Sequence, residues 1–152
     1  MDQKQRLIER LDQAHAGMRA VVARMKPDQV IYPDWTIKQL LAHLAGWDDA
    51  TIASLRAHTA GEIPAMPAAL GIDYYNAQTV EERQSLDLQH IYAEWEKTRL
   101  ILKEVVAAIP EDRMDKTFVY PWGGSGDVAG LLTIMADHEE EHAADMAKLI
   151  PQ

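Results

Sequence analysis

The residues that could do chemistry are concentrated near the end of the sequence, in Asp137-His138-Glu139-Glu140-Glu141-His142. His138 and His142 are four residues apart, so a helix places them one turn apart on the same face. On a helical wheel they fall within an arc of roughly 60° that also holds Leu131, Met135 and Leu149. The two histidines are therefore predicted to lie in the middle of the stripe that faces the core. A buried imidazole is costly unless its nitrogens find partners, and a divalent metal is a good shared partner.

A metal site of this kind needs a third ligand from another part of the chain. His43 is the best candidate because it lies on a predicted helix near an apolar face, and His15 is the second. His58 lies at the end of its predicted helix and His90 on an outer side. The other interpretation of the pair is two buried histidines that hydrogen-bond to carboxylates or carbonyls. Nitrogen ligands suit Zn, Ni and Fe alike, so the identity of the metal stays open.

The same segment matches H-E-x-x-H, the pattern in which zinc proteases use the glutamate as general base. Those proteins need a third ligand, often downstream, but only ten residues follow His142 and none is His or Glu. The match therefore does not favour a protease. Glu139 lies about 70° from the centre of the stripe, and the wheel predicts a solvated side chain there. Orienting a ligand histidine is the alternative role for Glu139 or Glu141.

Four aromatic or amide side chains are candidates for a substrate pocket near such a site. They are Trp47, Tyr74, Asn76 and Trp122. Trp47 is four residues beyond His43, which puts both on one side of a helix. Tyr74 and Asn76 lie in a long connection, and binding residues are often found in such segments. Trp122 belongs to a Pro-Trp-Gly-Gly turn just before the last helix.

Arg99 is the fifth pocket candidate, because it falls in the middle of an apolar stripe. A charge at such a position is seldom buried without a partner. The pattern favours an ion pair with Asp48, Asp49 or Asp145. A clamp for an anionic substrate group is the alternative.

Composition excludes several classes of function. The chain has 152 residues, no cysteine and a formal net charge of -9. The length predicts a single domain over residues 1–152, and the lack of cysteine excludes disulfides and zinc–thiolate sites. Without a basic run, nucleic-acid binding is not expected. No stretch has the ~20 apolar residues of a membrane span, and the charged N-terminus does not resemble a signal peptide. We therefore expect a cytoplasmic protein.

Apolar periodicity predicts four long helices. They run from Asp2 to about Met25, from Thr36 to about Ala60, from Val80 or Ser85 to Ile109, and from Ser125 or Asp127 to about Leu149. Residues 61–79 form a long irregular connection between the second and third helices, and 116–120 could be briefly extended without a partner strand. The fold class predicted is all-α, a four-helix bundle.

Two motifs together resemble a known family. Residues 35–48, WTIKQLLAHLAGWD, resemble the second-helix signature of the DinB/YfiT-like superfamily, and His138-x-x-x-His142 resembles its fourth-helix pair. The resemblance extends over nearly the whole chain in helix order and spacing. It implies a four-helix bundle, often a homodimer, with a divalent metal held by one histidine of helix two and two of helix four. Carried over by position, these are His43, His138 and His142.

The sequence is also similar to the ClbS/DfsB-like branch, through residues 35–47, Tyr75-Asn76 and Tyr120-Pro121-Trp122. That branch is associated with self-resistance, by hydrolysis of a reactive cyclopropane in a genotoxin, without reliance on a metal triad. Other relatives are S-transferases and isomerases that use low-molecular-weight thiols. The intact H-x-x-x-H pair favours a metal-dependent hydrolase or thiol transferase that acts on a small electrophile. A metal-free or non-enzymatic binding protein is the alternative.

Overall fold

Four long helices form a bundle, as the sequence predicted. The computed structural model describes residues 1–151. Its elements are α1 (Gln3–Val22), α2 (Ile37–Thr59), α3 (Ile72–Glu82), α4 (Leu88–Ala107), a 3-10 turn (Glu111–Arg113), β1 (Phe118–Val119), β2 (Ser125–Gly126) and α5 (Val128–Ala147). In the bundle, α1 packs mainly on α5 and α2 on α4. Within residues 1–151, none of the helices is both long and apolar enough to cross a membrane.

Local sequence signals fix the ends of the long helices. At the start of α2, the Gln39 side chain accepts hydrogen bonds from the backbone N–H of Thr36 at 2.9 Å and from its hydroxyl at 2.7 Å. Gly61, which follows α2, has a φ of +75°, a conformation that ends helices and favours glycine. At the start of α5, Asp127 Oδ1 accepts from the N–H of Gly130 at 2.9 Å. Side chains within the first turn therefore help to set where both helices begin.

The connection between α2 and α4 contains a helix that the sequence reading missed. Residues 61–79 were expected to be irregular, but α3 begins at Ile72. Most of its side chains are exposed, so it has no apolar stripe of its own, and contacts with α2 stabilise it instead. The Tyr75 hydroxyl donates to the carbonyl of Gly46 at 2.7 Å. A Cβ at Gly46 would lie only 2.5 Å from the Thr79 side chain, so this glycine allows α3 to lie close to α2.

The expectation that residues 116–120 have no partner strand was wrong. Phe118 pairs with Gly126 and Val119 with Ser125 in an antiparallel two-stranded ladder. Each strand is only two residues long, too short to show an alternating pattern. The Tyr120 hydroxyl donates to the carbonyl of Asp127 at 2.7 Å, which ties this hairpin to the start of α5.

A cluster of charged side chains lies in the core between the long helices. Arg99 of α4 is 3% exposed. Its Nε lies 3.1 Å from Asp48 Oδ2 of α2, and its Nη2 lies 3.1 Å from Glu139 Oε2 of α5. Its Nη1 also donates to the carbonyl of Leu11 in α1 at 3.1 Å. The ion pair predicted between Arg99 and Asp48 is present, and it includes a second carboxylate.

The expectation that Glu139 is solvated was also wrong. Its side chain is 0% exposed, whereas His138 and His142 are half-buried at the edge of the α5 stripe. Nδ1 of His15 lies 3.2 Å from Glu139 Oε1. Burial by itself raises the pKa of Glu139, but the adjacent His15 ring and the charge of Arg99 hold it below its usual value. These partners allow a carboxylate to occupy the centre of the stripe.

We expect Arg99→Met to lower the free energy of unfolding by about 3–5 kcal/mol, because two buried carboxylates lose their common partner. Urea unfolding followed by circular dichroism measures the loss. Lys103→Met is the matched control, one turn along α4, since its ion pair with Asp12 is partly exposed. We expect that change to cost less than about 1 kcal/mol. Equal losses in the two variants would contradict a structural role for the buried cluster.

Candidate metal centre

The structure brings His43, His138 and His142 together between α2 and α5. Nε2 of His138 lies 3.0 Å from Nε2 of His43 and 3.0 Å from Nε2 of His142. Ring nitrogens from the three residues all lie within 4.8 Å of one another. His43 is buried and the other two are half-buried. Three imidazoles from two helices thus point their nitrogens at one small volume.

Each ring is positioned by its own helix. His138 and His142 are one turn apart on α5, so their rings lie edge to face with centroids 4.6 Å apart. His43 is in the second turn of α2, and its ring lies 5.1 Å from the ring of Trp35, which precedes the cap of that helix. The helix start therefore holds the His43 ring from one side, while the α5 pair contacts it from the other.

A hydrogen-bond chain fixes the proton of His142. The Tyr32 hydroxyl donates to Asp145 Oδ2 at 2.6 Å and lies 2.8 Å from Nδ1 of His142. Because its one hydrogen goes to the carboxylate, the hydroxyl oxygen accepts from Nδ1–H of His142. Burial and the bond to Asp145 raise the pKa of Tyr32, so the hydroxyl keeps this hydrogen. Neutral His142 therefore presents the lone pair of Nε2 toward His138.

The three imidazoles are neutral at neutral pH. Burial, together with the charges that His138 and His142 would carry, lowers the pKa of His43 to about 2. Burial and the neighbouring His142 lower the pKa of His138 to about 4. Burial also lowers the pKa of His142. Neutral imidazole is the form that binds metals, so the site does not need to lose protons before it takes up a cation.

The donor set fits a divalent transition metal. Nε2 of His138 has a single in-plane position, which holds either a hydrogen or a lone pair. One hydrogen at that position would have to be shared between the two neighbouring ring nitrogens. A cation is bound by all three lone pairs at once. Two nitrogens about 2.0–2.1 Å from a tetrahedral ion lie roughly 3.3 Å apart, close to the 3.0 Å separations observed. Three protein ligands also leave a coordination position for water or substrate, as in catalytic zinc sites.

Two clefts open beside the three histidines. The first has a volume of about 360 Å³ and is lined by His43, Trp47, Ile72, Asn76, Trp122, Ile134, Met135, Asp137, His138 and Glu141. The second has a volume of about 410 Å³ and is lined by Tyr32, Pro33, Trp35, His43, Asn76, His138, Glu141, His142 and Asp145. Both volumes are in the range of small-molecule sites. The histidines are therefore accessible to a small ligand.

The structure places three of the five predicted pocket residues on the wall of the first cleft. Trp47 donates from Nε1 to Asn76 Oδ1 at 2.7 Å, and its ring lies 5.9 Å from that of Trp122. The remaining two lie elsewhere, since Tyr74 is 57% exposed and lines neither cleft, and Arg99 is in the core. Contact of any of these residues with a substrate stays a prediction.

The sequence reading missed the partners of His142. Tyr32 lies in a short connection 110 residues before His142, and no local pattern links the two. Asp145 is three residues beyond His142 on the same helix, and the spacing alone would have made it a candidate. The alternative third ligand, His15, is instead in the core, where its Nε2 lies 3.0 Å from Glu96 and its ring stacks on Trp95.

The family described as "Mycothiol maleylpyruvate isomerase N-terminal domain" matches residues 11–147 of the chain. The match includes all three histidines of the centre. No curated protein matches the chain.

Two solved structures share the fold. The mycothiol-dependent maleylpyruvate isomerase aligns with a TM-score of 0.75 and 17% identity, over 96% of this chain and 63% of its own. The chain thus spans less than two thirds of that relative. YfiT from Bacillus subtilis, described as "a probable metal-dependent hydrolase with an unusual four-helix bundle topology", aligns with a TM-score of 0.74 and 16% identity, over 98% of this chain and 87% of its own. At these identities the likeness shows the fold alone.

We expect untagged protein incubated with Zn²⁺, Ni²⁺ or Fe²⁺ to retain about one metal per chain, because three neutral imidazoles converge. His43→Ala should lose the metal while its helical circular dichroism stays largely unchanged. His90→Ala is the matched control, since His90 is exposed on α4, and it should retain the metal. Elemental analysis by plasma mass spectrometry measures the stoichiometry. Equal metal content in the two variants would rule out the three-histidine centre.

We expect Tyr32→Phe to weaken metal affinity by about 10–100-fold, because the hydroxyl that holds His142 in the right tautomer is lost. Competition with a chromophoric chelator measures the affinity. Tyr74→Phe removes the same atom from an exposed ring that lines neither cleft, and it should have no effect. If Tyr32→Phe binds metal as tightly as this control, the hydroxyl does not position His142.

Proposed function

The chain belongs to the mycothiol maleylpyruvate isomerase N-terminal domain family, within the DinB/YfiT-like superfamily, and we propose that it is a metal-dependent enzyme. Its proposed substrate is a small electrophilic molecule, which it hydrolyses or joins to a low-molecular-weight thiol. The proposed metal ligands are His43, His138 and His142. A role in detoxification or stress response follows from this chemistry. We further propose a homodimer, which the family resemblance supports, and a location in the cytoplasm.

One observation carries the proposal: three neutral imidazoles converge at the common boundary of two clefts. A structural metal site is closed by a fourth protein ligand, whereas a catalytic site keeps a position open. His43 and His138 line both clefts, so a molecule in either one lies beside the ligand set. This arrangement supports an enzyme over a purely structural metal site.

When a divalent metal is bound, it supplies a Lewis acid that polarises a substrate oxygen and lowers the pKa of water or of a thiol. The chain provides the remaining functions. Tyr32 and Asp145 hold His142 in the ligating tautomer. Trp47 and Trp122 form an apolar wall that excludes water from the body of a substrate. Glu141 lines both clefts and has a carboxylate that can take a proton from water or a thiol.

The two structural relatives support the two reaction types in the proposal. One is described as a mycothiol-dependent maleylpyruvate isomerase and the other as a probable metal-dependent hydrolase. Both reactions begin with deprotonation of a nucleophile, water in one case and a thiol in the other, next to an electrophilic carbon. The same ligand set and the same proton acceptor therefore serve either reaction.

We expect the metal-loaded protein to accelerate hydrolysis of activated esters or conjugation of a small thiol with an electrophile such as chlorodinitrobenzene. His138→Ala should reduce the rate to that of the reaction without protein, because the ligand set is broken. His90→Ala should keep the full rate. Release of the chromophoric product measures both reactions, with and without added metal. Metal-free protein and His138→Ala that both turn over the substrate as fast as metal-loaded wild type would overturn the proposal and favour the metal-free, ClbS-like alternative.

A further inference from the structure

The charged side chains that line the two clefts are all carboxylates. Three carboxylates are among them: Asp137 and Glu141 in the first cleft, and Glu141 and Asp145 in the second. In the described part of the chain, no lysine or arginine lines either cleft. An anionic group that enters a cleft therefore meets carboxylates and finds no cationic side chain with which to pair.

Two cations pair with carboxylates that line the clefts, but neither cation lines a cleft itself. Arg10 of α1 pairs with Asp137 and, at 3.1 Å, with Glu140 on the outer face of α5. Lys148 lies 3.8 Å from Asp145 and is largely exposed. Among residues 1–151, Glu141 has no ion-pair partner within 4.0 Å, although it lines both clefts. Glu141 is therefore the carboxylate of the clefts whose charge no neighbouring cation offsets.

Apart from Asn76 and the two histidines, the remaining side chains that line the first cleft are apolar. The rings of Trp47 and Trp122 lie against each other in this lining, which also includes Met135. Ile72 and Ile134, which are 49% and 41% exposed, add apolar surface to this lining. An aromatic or aliphatic body fits these surfaces, and the faces of the indole rings also favour a cation.

We propose that the clefts select a substrate with an apolar or aromatic body that carries no negative charge beyond the group that meets the metal. The inference rests on the proposed function and specifies its substrate class: neutral or cationic electrophiles are accepted, and dicarboxylates are rejected. Glu141 is the main determinant of this selection. A carboxylate about 6 Å from Glu141, at an effective dielectric constant of about 40, is bound roughly tenfold more weakly than a neutral group.

The experiment compares three probes that share the same metal-binding group, a hydroxamate. These are benzohydroxamate, para-carboxybenzohydroxamate and para-aminomethylbenzohydroxamate, titrated into cobalt-loaded protein and followed by the visible cobalt absorption. Because the hydroxamate is common to all three, differences in affinity report the cleft around the ring. We expect the neutral and cationic probes to bind about tenfold or more tightly than the carboxylated one. Trp122→Ala should weaken all three alike, because it removes apolar wall and no charge.

Two charge variants of α5 form a matched pair. Glu141→Gln should reduce the preference for the cationic over the carboxylated probe to about threefold or less. Glu140→Gln makes the same change one residue away, outside both clefts, and should leave the preference unchanged. The inference is overturned if the carboxylated probe binds as tightly as the others, or if the two variants behave alike.

If the proposed metal centre is wrong, the experiment gives a result that differs from the one that overturns the inference about the clefts. A wild-type protein that takes up no cobalt contradicts the three-histidine centre but still permits a test of the clefts. In that case, quenching of tryptophan fluorescence by the same probes in metal-free protein measures their order of affinity. Cobalt uptake with no response to any probe would leave the metal centre standing and overturn the clefts as a ligand site.

Discussion

The buried charge cluster around Arg99 joins all four long helices of the bundle. Arg99 on α4 contacts Asp48 on α2, Glu139 on α5 and the Leu11 carbonyl on α1. A guanidinium has five donors in a fixed plane, so its partners are held at defined angles as well as distances. Hydrophobic packing alone tolerates small rotations of a helix about its axis, whereas this cluster does not. It therefore fixes how each long helix faces the core.

The orientation of α5 is the part of this arrangement that matters for the candidate metal centre. With Glu139 directed at Arg99, the neighbouring His138 is turned to the edge of the buried stripe, and His142 follows one turn later. At this edge the rings contact His43 and still border the clefts. In the middle of the stripe the same rings would be enclosed by side chains. The buried charge cluster and the accessible histidine centre thus lie on two different faces of α5.

Two short elements outside the four long helices, α3 and the β1–β2 hairpin, contribute side chains to the wall of the first cleft. Asn76 of α3 accepts a hydrogen bond from Trp47, and Trp122 lies in the hairpin against the same indole. Neither element belongs to the bundle, and each is held by a few specific contacts with α2 or α5. The lining of the first cleft can therefore change through these segments while the histidines and the buried cluster stay in place.

The sequence by itself determined the four long helices and most of their ends, because periodicity and capping act within a few residues of chain. It also indicated the three histidines, through one-turn spacing on α5 and the place of His43 on a predicted helix near an apolar face, and the family resemblance selected the same three residues. Tertiary structure alone decided the rotation of α5, the burial of Glu139, the helix at Ile72–Glu82 and the roles of Tyr32 and Asp145. A wheel ranks Glu139 as polar because it cannot include Arg99, 40 residues away. A charge is buried only where distant partners offset the loss of its hydration, and those partners exist only in the folded chain.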